Sequence, residues 1–326
     1  MRLKENAITL HRILKGKIEI HSKITLGLDE ALQGSGISSL EDEGKGDNNS
    51  KTLDLIYTPG VAYVAEKIRD NKQLVYDYTS KWNNVAIVCD GTRVLGLGNI
   101  GPEGALPIME GKSVLFKLLG GINAFPLCIN STNKEEIITF IRTIEPTFGA
   151  INVEDIESPK VLEIVERLQK VLSIPVFHDD QHGTAIITLA ALNNALKLVN
   201  KDKEIDRLKI VIAGAGSAGY GIFRLLTEAG CSNIIVTDSN GLLYADRFDS
   251  PTLGKYKKEM AIHTNIKQSK GNELVDVIQG ADVFIGVSGK ANLIDEGMIR
   301  SMNRNPIVFA LSNPHPEILP PVALLA

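Results

Sequence analysis

The sequence is short of three things, and each shortage removes a class of function. Its 326 residues include three cysteines, Cys89, Cys128 and Cys231. Far apart along the chain and set in apolar surroundings, they supply neither a disulfide framework nor a thiolate metal site, and read as buried, reduced thiols. No apolar run approaches the roughly 20 residues needed to cross a bilayer, and the opening residues, with Arg2, Lys4 and Glu5, lack the apolar core of a secretory signal. Positive charge is not in excess: 35 Lys and Arg stand against 39 Asp and Glu, for a net charge of −4. A nucleic-acid binder would carry a basic footprint, and an anionic membrane surface would find nothing to attract. The expectation is a cytoplasmic protein with neither nucleic acid nor membrane as partner.

What is present is an ordinary soluble composition, 44% hydrophobic and 23% charged, in a chain long enough for about two domains with separate cores. The densest chemistry lies in Phe177-His178-Asp179-Asp180-Gln181-His182-Gly183-Thr184-Ala185, where two carboxylates and two imidazoles separate an apolar run, Ile174 to Phe177, from an apolar helical run, Thr184 to Val199. The latter presents Ile186, Ile187, Leu189, Ala190, Leu192 and Leu196 as its buried stripe. Upstream, Ala150-Ile151-Asn152-Val153-Glu154-Asp155-Ile156 is another short strand ending in paired acids. Between the two, Ser158-Pro159 can cap and open a helix marked by Val161, Leu162, Ile164, Val165 and Leu168. A right-handed strand–helix–strand unit makes its strands parallel, so both acidic pairs emerge at one sheet edge. One such pair alone reads as helix caps or solvated strand ends. Two at matching strand ends favour a hard divalent cation, Mg²⁺ or Mn²⁺, held by oxygen donors.

The remaining candidates are weaker on their own stretches. Tyr57 stands between an extended run from Leu53 and a helix that Thr58 can cap and Pro59 can open; alone it reads as an amphipathic packing residue. Arg93 follows an Asp90-Gly91 turn that should join two antiparallel strands over 84–98. There it is either a bidentate carboxylate binder or a surface arginine. Lys112 sits among apolar neighbours of a helix over Ala105 to Lys117, and is either desolvated with an easily lost proton or snorkelling to solvent. Residues 33–51 read as an exposed loop of unusual length.

A charged stretch, Asn200 to Glu204, marks the domain boundary, giving a substrate and metal domain over 1–199 and a dinucleotide-binding domain over 200–326. The second opens with a strand, Leu208 to Ala213, then Gly214-Ala215-Gly216-Ser217-Ala218-Gly219, then a helix ended by Gly230, then a strand from Asn233 that finishes at Asp238. Glycines between strand and helix, with an acid about 20 residues on, form the full context of a dinucleotide fingerprint. The glycines let backbone approach the pyrophosphate, and Asp238 would accept from the adenosine ribose. Later strands end at Ser288-Gly289 and at Ser312-Asn313-Pro314, where ligands of open α/β sheets bind. Ser288 and Asn313 are thus cofactor candidates, although Asn313 reads equally as a turn residue before proline. The fold class expected is α/β, an N-terminal α/β substrate domain followed by a Rossmann-type doubly wound domain.

Six motifs together, Tyr57-Thr58-Pro59-Gly60-Val61-Ala62, Asp90 through Gly98, Glu110-Gly111-Lys112, Asn152 through Ile156, His178 through Thr184 and Ala310 through Pro314, resemble malic enzymes of the short prokaryotic form. The likeness runs in order from about Lys15 to Pro316. It implies metal-dependent oxidative decarboxylation of (S)-malate to pyruvate and CO₂, with NAD or NADP, in a homodimer. Glu154, Asp155 and Asp180 match the family's metal ligands, and Asp179 a residue beside them. Tyr57 and Lys112 match its acid and base, Lys112 with a proton loosened by burial and cation. Arg93 and Asn313 match its substrate-binding residues, and Gly214 to Gly219 its cofactor turn. Asp238 would repel a 2′-phosphate and favour NAD, although an acid there does not reliably exclude NADP in proteins of this resemblance. Two departures are the long 33–51 loop and an end at Ala326, before the asparagine-rich segment and helices usual in the family. They leave two rivals, a truncated, weakly active or inactive dinucleotide-binding protein and, from a different class, an amino-acid dehydrogenase; the acidic set argues against the latter.

Overall fold

The computed structural model describes residues 57–94, 96–199, 205–245, 247, 253–264 and 273–326. The 33–51 loop, the extended run before Tyr57 and the boundary stretch at 200–204 lie outside these residues.

Two sheets carry the described chain. In the first, β1 (Asn84–Cys89), β2 (Asn123–Cys128), β3 (Ala150–Glu154) and β4 (Val176–His178) run parallel in the order β2-β1-β3-β4. The period of two along a strand divides β1 between two cores. Val85, Ile87 and Cys89 pack with Ala105 and Met109 of one long helix, while Ala86 and Val88 pack with Ile137, Ile141, Val161 and Leu168 on the opposite face. The helices that provide these side chains are α2 (Gly101–Gly120), α3 (Lys134–Ile144) and α4 (Lys160–Val171), following α1 (Gly60–Asp70). The five apolar positions that mark α4 in the sequence are all buried.

The second sheet has the order β7-β6-β5-β8-β9, with β5 (Ile210–Ala213), β6 (Ile234–Asp238), β8 (Val283–Gly286) and β9 (Ile307–Ala310) parallel, and the two-residue β7 (Gly241–Leu242) antiparallel at one edge. Strand order reverses at β5, which makes the crevice between the ends of β5 and β8 the place where such sheets bind ligands. The core over β1 and β3 continues through helices α5 (Thr184–Leu198) and α6 (Ser217–Glu228) into the second sheet. At this join a Cβ on Gly221 would lie 2.2 Å from the Gln181 carbonyl oxygen, so only glycine lets α6 come this close to the acidic turn. No described helix is long and apolar enough to cross a membrane.

The structure corrects several local expectations. There is no hairpin at Asp90-Gly91. Both edges of β1 are already taken by β2 and β3, so nothing remains for an antiparallel partner, and Val94 makes only an isolated bridge with Gly98. Neither Thr58 nor Ser158 caps a helix by its side chain; Pro59 and Pro159 occupy the N-cap positions of α1 and α4. Helix α2 begins at Gly101, ahead of the expected Ala105. In α5 the buried stripe is Ala185, Thr188 and Leu192, while Ile186 and Ile187 are 60% and 63% exposed. Apolar residues outnumber polar ones two to one there, so composition does not say which face turns inward. Cys89 and Cys128, distant in sequence, are register partners on β1 and β2.

Candidate active site

The strand–helix–strand unit does what its sequence implies. Strands β3 and β4 are parallel neighbours, with Val153 opposite His178, so Glu154 and Asp179 leave the sheet side by side. Residues Asp179–Gly183 then form one turn of π-helix before α5. Such a turn widens the backbone and is frequent at functional sites. Lys112, from the middle of α2, reaches over the strand ends and donates from Nζ to Glu154 Oε1 and, at 3.0 Å, to Asp179 Oδ2. The lysine belongs to the acidic edge and does not snorkel away from it.

The charges at this edge are not balanced. Burial pushes the Glu154 carboxyl up to about 7, against the pull of Lys112 and with added repulsion from Asp180 and Asp179. Burial, then Asp180, pushes Asp155 up to about 6. For Lys112 burial works to strip the proton, yet the attraction of Glu154 and then Asp179 outweighs it, and the ammonium is held above its ordinary range. Burial, without a cation, is not enough to loosen this proton. Asn152, buried within β3, donates to Glu154 Oε2 at 3.0 Å. The buried side-chain atoms without a hydrogen-bond partner among the described residues also gather here: Asn152 Oδ1, both ring nitrogens of His178, and Gln181 Oε1. His178 Nε2 comes within 3.7 Å of Asp180 Oδ2.

Hard oxygen donors that repel one another, beside unsatisfied buried polar atoms, suit a divalent cation in kind and in charge. As placed, though, no three His, Cys, Asp or Glu side chains among the described residues form a ready metal-binding group. One reason is visible: both oxygens of Glu154 are engaged, by Lys112 and by Asn152.

A second network positions the turn that carries Arg93. The buried Asp90 carboxylate accepts from Thr92 N at 2.9 Å, Thr92 Oγ1 at 2.6 Å and Lys160 Nζ at 2.8 Å. Thr92 Oγ1 in turn accepts from Glu157 N at 2.9 Å, and Arg93 N donates to the Asp155 carbonyl at 3.1 Å. The loops after β1 and β3 are thereby tied together. Arg93 itself is exposed, and its guanidinium makes no hydrogen bond or ion pair among the described residues. A Cβ on Gly96 would lie 3.8 Å from Pro314 Cδ, so the Arg93 loop faces the loop that bears Asn313. Tyr57 stays apart from this assembly, 71% exposed, with no hydrogen bond from its hydroxyl among the described residues.

On the second sheet, Gly214, Ala215 and Gly216 turn out of β5 and Ser217, Ala218 and Gly219 open α6. Gly214 has φ +120°, and a Cβ on Gly219 would sit 1.9 Å from the Gly214 carbonyl oxygen. The close turn therefore depends on both glycines. Asp238, at the end of β6, has partners of its own within the fold. Its side chain is 3% exposed, and it accepts from Lys257 Nζ at 2.8 Å, Asn240 N at 2.9 Å and Arg247 at 3.4 Å. Burial raises its pKa, but Lys257, the Asn240 amide and Arg247 together hold it below the usual carboxylate range. Repulsion of a 2′-phosphate is correspondingly offset. Ser288, after β8, gives its hydroxyl and its N–H to Glu317 Oε1 at 2.7 and 2.8 Å. Glu317, wholly buried, also accepts from Ser312 Oγ at 2.5 Å and Ser312 N at 3.3 Å. It thus clamps the ends of β8 and β9 and fixes the backbone next to Asn313, which is itself exposed.

The sequence assigns no individual role to Asn152, Glu317, Lys257 or Lys160. Asn152 did carry a signal, a polar residue inside an apolar strand; Lys257 was one lysine of several, and Glu317 a lone acid in a proline-rich stretch.

Comparison with known proteins supplies the family. Residues 44–138 match the family model described as malic enzyme, N-terminal domain, and residues 181–319 match malic enzyme, NAD binding domain. The bifunctional malic/malolactic enzyme of Bacillus subtilis is 46% identical over 320 residues, which is 98% of this chain and 72% of that protein. The NAD-dependent malic enzyme of Geobacillus stearothermophilus is 48% identical over 288 residues, covering 86% of this chain but only 59% of its own length. Among solved structures, the NAD-dependent malic enzyme of Thermotoga maritima superposes with a TM-score of 0.85 at 43% identity, over 98% of this chain and 78% of the other. This chain belongs to the malic enzyme family.

Proposed function

We propose that the protein catalyses the oxidative decarboxylation of (S)-malate to pyruvate and CO₂, with reduction of NAD or NADP and a divalent metal. The observation that carries this reading is Lys112, bracketed by Glu154 and Asp179 at the paired ends of β3 and β4. An ammonium on a cluster of otherwise unbalanced acids is a proton carrier beside a cation site.

Glu154, Asp155 and Asp180 are the residues that would hold Mg²⁺ or Mn²⁺, with Asp179 beside them. Such a cation, when bound, supplies a Lewis acid for the malate hydroxyl and carboxylate, and the dinucleotide supplies the hydride acceptor. The chain's own residues do the rest. Arg93, exposed at the cleft, presents a guanidinium fork to a malate carboxylate, and Asn313 approaches from the facing loop. Lys112 receives the hydroxyl proton as hydride leaves C2. It becomes a base only when Glu154 and Asp179 are otherwise engaged, because those two carboxylates hold its proton in place. Tyr57 is assigned the later donation of a proton to C3 once CO₂ has left. Gly214 to Gly219 would take the pyrophosphate at the start of α6, Asp238 at the end of β6 would accept from the adenosine ribose, and Ser288 at the end of β8 is a further cofactor contact. The metal and substrate part comprises residues 1–199 and the dinucleotide part residues 200–326. A homodimer completes the reading; Tyr63, Leu118, Leu119, Ile186 and Ile187 are exposed apolar side chains available to such a contact.

The test is a steady-state assay with malate, Mn²⁺ and either dinucleotide, on the native chain and on Lys112→Ala. Loss of general base catalysis lowers turnover by about 10²–10⁴-fold, while dinucleotide affinity, measured by fluorescence titration, stays within about twofold of native, since Lys112 belongs to the first sheet. Retained turnover in Lys112→Ala removes the lysine from the chemistry.

A further inference from the structure

We propose that Cys89 and Cys128 form a peroxide-oxidisable dithiol, a modification site at the edge of the first sheet. The two residues end β1 and β2 and are register partners there. In a parallel pair, register partners point to the same face, and neighbouring strands lie about 4.8 Å apart. That spacing falls within the Cα separation of about 4.4–6.8 Å that a disulfide tolerates. Both side chains belong to one small core, Cys128 packing against the cluster that holds Cys89, and Gly91 N donates to Cys89 Sγ at 3.3 Å.

The two thiols differ in access. Cys89 is fully buried in the core beneath α2, whereas Cys128 is partly exposed. Among the described residues β2 pairs on one side only, with β1. Closing the bridge needs Cβ atoms nearer than the strand spacing, about 3.5–4.5 Å, and a strand held on a single side can make that small shift.

The oxidant is hydrogen peroxide or an organic hydroperoxide. Cys128 sulfur attacks one peroxide oxygen; an S–O bond forms, the O–O bond breaks, and the departing oxygen leaves as water (or alcohol) with the thiol proton. Cys128 is then a sulfenic acid. Cys89 sulfur attacks it; the S–S bond forms, the S–O bond breaks, and a water leaves with the Cys89 proton. Two sulfurs have each given up one electron and the peroxide has taken two. Cys231, buried in the core of the second sheet and away from both, is the internal control.

The full chain is treated with hydrogen peroxide and mapped by non-reducing peptide mass spectrometry. The expected product is one cross-linked peptide pair, Cys89 to Cys128, lighter by two hydrogens and reopened by dithiothreitol, with Cys231 unchanged. In Cys128→Ser the same treatment leaves Cys89 unmodified, because the exposed attacking sulfur is gone. Native-state maleimide labelling, which needs no variant, should mark Cys128 before Cys89 and Cys231. Sulfinic or sulfonic acid on Cys128 without a cross-link, a bridge that includes Cys231, or three unchanged thiols would each overturn the proposal.

Discussion

Asp238, at the end of β6, and Glu154 and Asp155, at the end of β3, are acids taken out of water at the carboxyl edge of a parallel sheet, yet their surroundings treat them in opposite ways. Asp238 has Lys257, Arg247 and a backbone amide within reach, and its acidity is increased despite burial. Glu154 and Asp155 have one ammonium, which bonds only the first of them, and Asp180 repels both; their carboxyls are pushed up to about 7 and about 6. Unsatisfied buried polar atoms gather at the second kind of edge and not at the first. A scaffold settles its charges internally, whereas a site leaves them for a ligand to settle. Glu317 extends the comparison, since its four accepted hydrogen bonds place it with Asp238 among the settled acids.

Removing a settled acid should therefore cost stability, and removing an unsettled one should not. The larger effect is expected from Glu317→Ala, which strands the Ser288 and Ser312 hydroxyls and N–H groups in a buried place and opens a void against Gly286. Loss of a satisfied buried acceptor of this kind costs about 2–4 kcal/mol, or a fall in Tm of roughly 3–6 °C for a chain of this size. Thermal unfolding followed by circular dichroism measures it, and a Tm within a degree or so of native would deny that Glu317 clamps the two strands. Asp155→Asn is the opposite case. In metal-free protein it removes a charge that is desolvated and repelled, so Tm should rise by about 1–3 °C. In the same variant Mn²⁺ affinity, read by calorimetry, should fall by more than the roughly 10–100-fold that a merely supporting residue costs. A destabilised metal-free variant that binds Mn²⁺ normally would show that Asp155 is structural.

The contrast also explains what could be read ahead of the structure. Helical periodicity exposed α4, and short apolar runs marked β3, buried along most of its length, and β4; the parallel pairing of β3 with β4 followed from the connection between them. Pattern failed in α5, where Ile186 and Ile187 are as apolar as Leu192 but face outward. It also failed at Asp90-Gly91, because a turn dipeptide says nothing about whether the strand's edges are already occupied. Glu154, Asp155 and Asp180 stand out in the sequence as paired acids at element ends, a local signal. Their counterions do not, for Lys112, Lys257 and Arg247 reach their acids across 42, 19 and 9 residues, and only the folded chain shows which lysine among many is the partner. The direction of the Lys112 shift in the metal-free chain was not legible for the same reason. Burial works to loosen its proton, and the acids that reverse the balance come from other elements.

The smallest expected effect tests the settled side of the comparison at its most functional point. Lys257 is about a third exposed, and its bond to Asp238 is the shorter of the two cationic contacts. In Lys257→Ala the acid at the end of β6 keeps only Arg247 and the Asn240 amide, so the local charge turns more negative where the adenosine ribose is proposed to lie. A 2′-phosphate suffers from this more than a 2′-hydroxyl does. The KM for NADP should rise relative to that for NAD by about threefold to fivefold, the ~1 kcal/mol upper end for a partly exposed pair. The pH dependence of stability has a definite sign. A carboxyl held below its ordinary value stabilises the fold at neutral pH and loses that contribution as pH falls through the folded value. Without Lys257 the carboxyl moves back up, the contribution shrinks, and acid unfolding begins at a higher pH. Steady-state kinetics with both dinucleotides and an acid titration of Tm measure the two effects on one variant. If neither the KM ratio nor the acid limb moves, the Lys257 contact is a surface pair of no consequence, and Asp238 owes its acidity to the backbone amide and Arg247.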